Sequence, residues 1–266
     1  MTETETVTAG ERPDLRERAR AALWGGWPEF ILHAPSSAEY RRRALAYFPR
    51  FDVLLLDGGE VVAGGAGVAL CWDAEAGTLP DGYDGAMAAA VTGHEACVVP
   101  ETLCVMVAAV RPDRLGGGLA ARVLTALRDR AVEAGLRRVI ALVRPTLKAR
   151  YPLTAMEDFA GWTRPDGLHL DPWIRTHQRL GATVLAPAPR SMVITGTVAE
   201  WEAWAGMAFP RTGGYVVPGA LDLVEIDRER DRGVYAESNL WMRHLQPSRA
   251  PGQAALTRSS RPKSGA

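Results

Sequence analysis

The amino-acid sequence predicts an α/β fold in which helices flank a central sheet. The first observation is a pair of strands, predicted at residues 51–56 and 61–70 from their apolar and branched side chains. Asp57-Gly58-Gly59 separates the two strands, and this tripeptide is typical of a tight hairpin turn. The pair is therefore expected to be antiparallel.

The second observation is a strand, turn, helix and strand that follow one another directly. The continuous apolar run Thr102–Val110 predicts a strand buried on both faces. From Leu119 the apolar residues keep helical spacing up to Gly135, and residues 137–143 predict another buried strand. A glycine-rich turn joins the first strand to the helix.

The other elements have weaker patterns. Helices are predicted at residues 15–23 and 38–48, and Asp171, Pro172 and Gly181 mark the start and the end of a later helix. Further strand segments are predicted at residues 183–185, 191–195, 215–217, 221–226 and 234–236, with a short helix capped by Thr197 among them.

The predicted domain organisation follows from where the apolar periodicity of the helices and strands ends. Residues 1–12 and 247–266 are polar, lack apolar periodicity and are expected to be disordered tails. Residues 197–246 are expected to form a C-terminal extension packed on the core, since they are few for an independent domain.

Composition limits the classes of function. Of the 266 residues, 47% are hydrophobic, and 31 basic residues balance 31 acidic residues. This balance argues against nucleic acid, an anionic membrane or an acidic partner and favours a small-molecule ligand. The three cysteines lack CxxC spacing, and no metal site is expected. Without an apolar leader or a run of about 18 apolar residues, a cytoplasmic protein is expected.

The turn between the buried strand and the helix, residues 110–121 (VRPDRLGGGLAA), carries the sharpest functional signal. Glycines let the backbone approach a ligand closely, and the free N–H groups at a helix N-terminus bind anions such as a pyrophosphate. A Rossmann site needs GxGxxG and an acidic residue about 20 positions later, and a Walker loop needs Gly-Lys-Ser/Thr. Neither pattern is present, which leaves a flexible turn without a ligand as the alternative.

The run V-x-P-x-x-L-G-G-G-L-A in this turn resembles motif A of the Gcn5-related N-acetyltransferase (GNAT) superfamily, whose loop amides bind the CoA pyrophosphate. Gly118 and Ala120 occupy the small positions of the motif, and Leu115 stands where the family usually has Arg or Gln. Residues 174–182 (IRTHQRLGA) are similar to a later helix of the family that ends in Tyr-x-x-x-Gly-Phe. Stretches resembling residues 151–154, 162–167 and 189–192 recur in an actinobacterial GNAT-like subgroup.

The resemblance implies a GNAT-like, mostly antiparallel sheet, an acyl-CoA-binding core over residues 13–196, and acetyl-CoA or another acyl-CoA as co-substrate. In the family, one strand pairs with the pantetheine arm of CoA and splays from its neighbour. The implied cofactor-binding residues are Val107, Ala108, Ala109 and Val110 on the strand and Leu115, Gly116, Gly117, Gly118, Leu119 and Ala120 in the turn.

His177 is the candidate catalytic residue. It lies four residues before Gly181, where many family members keep a tyrosine that protonates the leaving thiolate. Its spacing from Ile174 places it on the inward face of the helix, and an unperturbed imidazole pKa of about 6.5 suits proton transfer at neutral pH. A core histidine bonded to a backbone carbonyl is the alternative.

Candidate substrate-binding residues are Trp24 and Trp27 after the first helix, and Arg144 and Tyr151 in the loop after the second buried strand. The tryptophans would form an aromatic wall for the acceptor, unless they are ordinary core residues. Arg144 could bind a carboxylate or a phosphate.

Other polar residues carry weaker signals. Lys148 and Arg150 are expected to be solvated, and Glu101 and Glu157 are candidate bases with no motif behind them.

Three functions follow from the resemblance. The first is acyl transfer from acyl-CoA to the amine of a small molecule by direct attack. The second is decarboxylation of a malonyl thioester with an acyl carrier protein as partner, because residues 171–177 (DPWIRTH) are similar to a stretch of GNAT-like polyketide synthase loading domains. Val143 stands where those domains use a threonine. The third is CoA binding without catalysis, which the leucine at position 115 keeps open.

Overall fold

One sheet of nine strands organises the described part of the chain. The computed structural model describes residues 4–245, and within them every side chain except those of residues 35–38. In this range the strands are β1 (Glu5–Thr8), β2 (Asp52–Asp57), β3 (Glu60–Leu70), β4 (Thr102–Val110), β5 (Arg138–Val143), β6 (Thr183–Gly196), β7 (Gly213–Tyr215), β8 (Val224–Asp227) and β9 (Arg232–His244). The α-helices are α1 (Arg16–Trp24), α2 (Pro35–Tyr47), α3 (Gly82–Glu95), α4 (Leu119–Glu133), α5 (Met156–Ala160), α6 (Pro172–Arg179) and α7 (Val198–Ala205).

The sheet is mixed and mostly antiparallel. Its strand order is β1-β2-β3-β4-β5-β9-β8-β7, and β6 also pairs with β9. Within the described residues only β4 and β5 run parallel, because α4 carries the chain back between them. The predicted fold class is confirmed.

Helices cover both faces of the sheet. Leu54 of β2 packs in a cluster with Leu23 of α1, whereas its neighbour Leu55 packs in the main core with Val123 of α4. Since successive side chains of a strand point to opposite faces, α1 and α4 lie on opposite sides of the sheet. None of the helices in the described part of the chain has the length and apolar character of a membrane-spanning segment.

Helix α3 was not expected from the sequence. Its buried side chains are mostly small, as in Ala86, Met87, Ala90 and Val91, so the apolar period is weak. The helix is held instead by tertiary contacts with β3 and β6. Local pattern alone therefore missed it.

The expectation of a disordered tail at residues 1–12 is wrong for Glu5–Thr8. These residues form β1, which pairs antiparallel with β2 at the edge of the sheet. Val7 is buried against Leu54 and Leu56. A four-residue strand is too short to show a period in sequence, and it is the free edge of β2 that orders it.

The expectation of an extension packed on a core that ends at residue 196 is also wrong. Strand β9 lies between β5 and β6 inside the sheet, so it completes the core rather than covering it. Only residues 234–236 of this strand were predicted, because its polar residues interrupt the apolar pattern. The second expected tail, residues 247–266, lies outside the described residues.

The start of α3 contacts β6 very closely. A Cβ atom built on Gly82 would lie 2.1 Å from the Cα of Ser191, and Gly82 has a φ of +61°. The next residue, Tyr83, donates its backbone N–H to the Ser191 hydroxyl over 2.9 Å. Any side chain at position 82 would push the helix off the strand.

We expect Gly82→Ala to lower the free energy of unfolding by roughly 2–4 kcal/mol, because the residue combines a clash with a left-handed backbone. Gly93→Ala, on the same helix, is the matched control. No atom lies within 4 Å of a Cβ there, so it should be neutral or raise stability by up to about 1 kcal/mol. Urea denaturation followed by circular dichroism measures both, and equal effects would contradict the close contact.

Candidate active site

The turn between β4 and α4 leaves the backbone N–H groups of a helix N-terminus open. Gly118 precedes α4 with a left-handed backbone (φ 75°, ψ 4°), and no side chain caps the helix. Gly116 has a φ of 83°. Glycine adopts these conformations without strain, and uncapped N–H groups at the positive end of a 15-residue helix attract an anion.

Strands β4 and β5 part next to this turn. Their parallel pairing runs from Thr102 with Arg138 to Val105 with Ala141 and ends there. On its other edge β4 stays paired with β3, and a register shift leaves Met106 as a bulge. From Met106 to Val110 the edge of β4 that faces β5 therefore has free N–H and C=O groups, which an extended ligand with amide groups can pair with.

A cleft of about 820 Å³ follows this free edge. This main cleft runs from the glycine turn along β4 to α6 and to the end of β5. Of the cofactor-binding residues expected from the sequence, the cleft is lined by Val107, Ala108, Val110, Leu115, Gly116, Gly118, Leu119 and Ala120. Ala109 and Gly117 do not line it, and Ala109 packs with the α1 cluster on the opposite face of the sheet.

His177 reaches the main cleft from α6. Asp171 caps this helix by accepting hydrogen bonds from the N–H groups of Trp173 and Ile174, as the sequence predicts. Ile174 and His177 are the buried residues of the helix. His177 is 1% exposed and lies 2.9 Å, Nδ1 to Nε2, from His244 at the end of β9.

Burial keeps both imidazoles neutral. It lowers the pKa of His177 well below the usual 6.5, and the neighbouring His244 lowers it further. Burial, together with the charge of Arg128, lowers the pKa of His244 to about 4. His177 is therefore neutral at neutral pH, and it is not the protonated acid that its ordinary pKa suggested.

A side pocket of about 50 Å³ lies next to the main cleft, where β4 and β5 part. Trp27, Met106, Val107, Leu142 and Arg144 line both cavities and form the wall that they share. The side pocket adds Trp24, Ile31, Leu32, Ala34, Arg41, Tyr83, Met192, Glu237 and Asn239. The rings of Trp24 and Trp27 lie 5.4 Å apart, which gives the pocket an aromatic wall.

Glu237 brings a buried negative charge into the side pocket. Its side chain is 1% exposed. It accepts hydrogen bonds from Arg144 Nε over 2.9 Å, from the Tyr235 hydroxyl over 2.9 Å and from Asn239 Nδ2 over 3.0 Å. A buried carboxylate is stable only with such partners, so this network fixes its position.

The same network extends to α3. Asn239 accepts a hydrogen bond of 2.6 Å from the Ser191 hydroxyl, which in turn accepts the N–H of Tyr83. Burial raises the pKa of Tyr235, as does Glu237, and the phenol therefore stays a neutral donor to the carboxylate. Three segments far apart in the chain thus position Glu237.

Arg144 lies where the sequence analysis expected a substrate-binding residue, but its guanidinium already has partners. Its Nε donates to Glu237, its Nη2 donates to the carbonyl of Gly219 over 2.7 Å, and the guanidinium lies 5.8 Å from the Trp27 ring. Burial alone would lower the pKa of Arg144, but Glu237 and Tyr235 outweigh it and the pKa is raised. Arg144 therefore remains a fixed cation.

Sequence reasoning missed Glu237 and Asn239. Every second residue of β9 in this region, Gly233, Tyr235, Glu237 and Asn239, is buried. Three polar residues at period two in one strand were a usable signal for a buried polar face. The signal was missed because the strand was predicted only at residues 234–236, which leaves out Glu237 and Asn239.

Four other expected residues lie away from both cavities. Tyr151 packs edge-on against Trp162 at 4.8 Å and lines neither the cleft nor the pocket, so the expectation that it binds substrate is not supported by its position. Glu101 pairs with arginines at the opposite end of β4, and Glu157 is exposed on α5. Arg150 is exposed, as expected.

The expectation that Lys148 is solvated is wrong. Its side chain is fully buried, and its Nζ donates to the carbonyl of Leu221 over 2.6 Å and to that of Tyr151 over 3.2 Å, with Asp222 at 3.4 Å. A buried ammonium needs these acceptors, and the segment before β8 supplies two of the three. Lys148 therefore ties the loop after β5 to the C-terminal part of the sheet.

No protein-family model matches the sequence. The chain is 28% identical over 269 aligned residues to arginine N-acetyltransferase avaD of Aspergillus versicolor, and the similarity covers 89% of this chain and 92% of that protein.

Two solved structures share the fold. The loading GNATL domain of CurA from Lyngbya majuscula aligns with a TM-score of 0.55 at 12% identity, over 91% of this chain and 98% of that domain. The GphF GNAT-like decarboxylase in complex with isobutyryl-CoA aligns with a TM-score of 0.54 at 15% identity, over 92% and 100%. The protein therefore has the GNAT fold. Over most of its length the chain is also similar to a protein named as an N-acetyltransferase.

The pair of buried neutral histidines makes stability depend on pH. In the unfolded chain each imidazole takes up a proton below about pH 6.5, whereas the native His244 does so only near pH 4. The unfolded state therefore binds more protons between these values, and stability falls as pH decreases. Above pH 6.5 the contribution is fully present.

We expect up to about 3 kcal/mol of stability from His244 to be lost between pH 6.5 and 4. Urea denaturation at pH 7.5, 6.5, 5.5 and 4.5 measures this for the natural protein and for a variant with phenylalanine at positions 177 and 244. The free energy of unfolding of the natural protein minus that of the variant should decrease as pH falls. The carboxylates do not change this difference, because they contribute equally to both proteins. A difference that stays constant with pH would argue against neutral buried histidines.

Proposed function

We propose that this protein transfers the acetyl group of acetyl-CoA to an amine of a small amino acid such as arginine, by direct attack in a ternary complex. The observation that carries the proposal is that two cavities share a wall where β4 and β5 part. The main cleft follows the free edge of β4, and the side pocket beside it contains the buried carboxylate of Glu237. The name of the fungal relative supports arginine as an acceptor.

The main cleft suits the parts of acetyl-CoA in order. The pyrophosphate would bind the open N–H groups at the start of α4, with Arg175 and Arg179 on the facing wall. The pantetheine amides would pair with the free edge of β4. The thioester would then lie near Met106, which lines both cavities.

The side pocket suits a zwitterion. Glu237 offers a negative charge to an ammonium group. Arg144 is already paired with Glu237, but Arg41 of α2 also lines the pocket, half-buried, with its guanidinium 4.7 Å over the Trp24 ring. An acceptor carboxylate would therefore bind Arg41 while the amine lies on the side of Glu237.

The reaction needs little from the protein beyond placement. The neutral amine attacks the thioester carbonyl and forms the C–N bond, and one proton of the amine leaves to water. The C–S bond then breaks, and the electron pair leaves with the CoA sulfur. Three donors already bind the oxygens of Glu237, so we assign this carboxylate to orienting the amine rather than to accepting its proton.

Decarboxylation of a malonyl thioester, with an acyl carrier protein as the recipient, is the second candidate. Both solved structures with the shared fold support it, since one is a loading domain and the other a decarboxylase. His177 also lines the cleft. Val143, which stands where the loading domains use a threonine, is 1% exposed and brings no hydroxyl to this site, which favours transfer.

Ligand binding and turnover test the proposal together. Purified protein is incubated with acetyl-CoA, malonyl-CoA or NAD, each with and without arginine, and its thermal midpoint and the thioester mass are recorded. We expect a rise of about 2–4 °C with CoA thioesters at about 100 times their Kd, none with NAD, and acetylarginine only when arginine is present. Loss of CO2 from malonyl-CoA without arginine would select the second candidate, and no shift with any thioester would refute both.

Arg41→Met tests recognition of the acceptor carboxylate. We expect KM for arginine to rise roughly 10- to 100-fold, because a charged hydrogen bond is lost, while KM for agmatine, which lacks the carboxylate, changes little. Arg42→Met, on the exposed face of the same helix, is the matched control and should leave both values unchanged. A parallel rise for arginine and agmatine would show that Arg41 does not bind the carboxylate.

A further inference from the structure

A third cavity, of about 120 Å³, lies beside the side pocket on the face of the sheet that α1 covers. Trp24, Arg41, Tyr83, Met106 and Val107 line both of these cavities. The remaining lining comes from α1, α2, α3 and strands β2 to β4, and it is mostly apolar. The side pocket, at about 50 Å³, has room for roughly four water molecules, which is less than a whole arginine occupies. An acceptor of that length therefore needs space beyond the side pocket.

Asp52 is the acidic residue that lines the third cavity. It begins β2 and is half-buried, and its carboxylate makes no hydrogen bond or ion pair with the described residues. Burial raises the pKa of this carboxyl group, although the charges of Arg16 and Arg41 act in the opposite direction. A partly buried carboxylate without a bonded partner costs stability, and a cationic ligand would offset that cost.

The register of the sheet places Asp52 in line with the point where β4 and β5 part. Asp52 is paired with Ala66 of β3, and Ala66 is paired with Val107 of β4. Residues paired across neighbouring strands point to the same face, so these three side chains form one row. Neighbouring strands lie about 4.8 Å apart, which puts Asp52 about 10 Å from Val107. The extended side chain of an arginine, together with that of Asp52, can cover this distance.

The charges around the two cavities match a basic amino acid. Arg41 lines both cavities, with Glu237 in the side pocket and Asp52 in the third cavity. A basic amino acid carries an amine and a carboxylate at one end and a cation at the other. The apolar lining between the charged groups suits the methylene groups of its side chain. The alanine at position 66, in the middle of the row, leaves room above the sheet for them.

We propose that Asp52 is a specificity-determining residue whose carboxylate binds the guanidinium of an arginine acceptor, while Arg41 binds the acceptor carboxylate. This inference rests on the proposed acyl transfer. It places the acceptor across the residues that the side pocket and the third cavity share, with its amine towards Glu237. A guanidinium and a carboxylate form two parallel N–H···O bonds, which fix orientation and add binding energy. Asp52 takes no part in making or breaking bonds.

The test compares arginine with citrulline, which has the same length and a neutral urea group in place of the guanidinium. We expect the natural protein to have a lower KM for arginine than for citrulline. In Asp52→Asn, KM for arginine should rise roughly 10- to 100-fold, because a charged pair is lost, while KM for citrulline and both kcat values change little. Glu17→Gln removes an exposed carboxylate of α1 that lines none of the three cavities, and this matched control should leave both KM values unchanged.

The stability of Asp52→Asn provides a separate check. The carboxylate has no partner to lose, and burial disfavours its charged form. We therefore expect the thermal midpoint of the variant without ligand to equal or exceed that of the natural protein. A lower midpoint would show that Asp52 is needed for the fold, and it would overturn the inference.

Calorimetric titration of arginine and citrulline into the protein with CoA separates the inference from the proposed function, since it needs no turnover. If no acetyl transfer occurs, the proposed function fails, and weaker binding of arginine alone to Asp52→Asn would still support the role of Asp52. Equal affinity of the natural protein for both compounds, or no binding of arginine, would overturn the inference. An equal rise of KM for both compounds in Asp52→Asn would overturn it too. Faster transfer from isobutyryl-CoA in Asp52→Asn, with KM for arginine unchanged, would assign the third cavity to the acyl chain instead.

Discussion

The site depends on the point where β4 and β5 stop pairing. β5 continues beyond Ala141 because β9 holds it, and β4 continues beyond Val105 because β3 holds it. Each strand is therefore fixed on its outer edge while the inner edges separate. A gap in a sheet leaves unpaired backbone groups, which need either water or a ligand. Here the main cleft and the side pocket lie on either side of this gap and share Met106, Val107 and Leu142 as lining residues.

The bulge at Met106 contributes to this separation. An extra residue in one strand increases its local twist and ends regular pairing. The glycine turn follows five residues later, so the chain leaves the free edge and enters α4 with its N–H groups still facing the same cleft. One short segment therefore supplies both an unpaired strand edge, which can bind amide groups, and a helix N-terminus, which can bind an anion.

A second constraint is the buried charge of Glu237. It is satisfied by Arg144 from the end of β5 and by Tyr235 and Asn239 from its own strand. Removing Arg144 would leave the buried carboxylate without its cation, which costs far more than the pair itself contributes. The network thus specifies how β9 packs against β5, and it fixes Glu237 and Asn239 in a pocket whose lining is mostly apolar.

Acyl transfer and thioester decarboxylation place different demands on this architecture. Both need the main cleft, and the two solved structures show that the fold accommodates a loading domain and a decarboxylase. Only transfer to an amine needs a second, polar binding site on the other face of the sheet. In the proposed transfer, the side pocket with Glu237 and Arg41 would be that site, since it adjoins the main cleft at Met106.

The sequence by itself determined the local elements. Apolar runs, the Asp57-Gly58-Gly59 turn and the glycines before α4 fix the hairpin and the β4-turn-α4-β5 unit within one or two residues of their observed bounds. The cap at Asp171 and the spacing from Ile174 placed His177 on the buried face of α6. These features depend on neighbours in the chain, and neighbours are visible in a sequence.

The tertiary structure alone decided the rest. β1 and α3 are ordered by partners far away in the chain, and β9 lies inside the sheet although residues 197–246 were expected to form an extension packed on the core. Glu237 lies 93 positions from Arg144, and His244 lies 67 positions from His177. No local pattern encodes such pairings, because they arise when the sheet closes around buried polar groups that must find partners. The sequence therefore located the strand and the turn that line the main cleft, and only the folded chain revealed the pocket with Glu237 beside it.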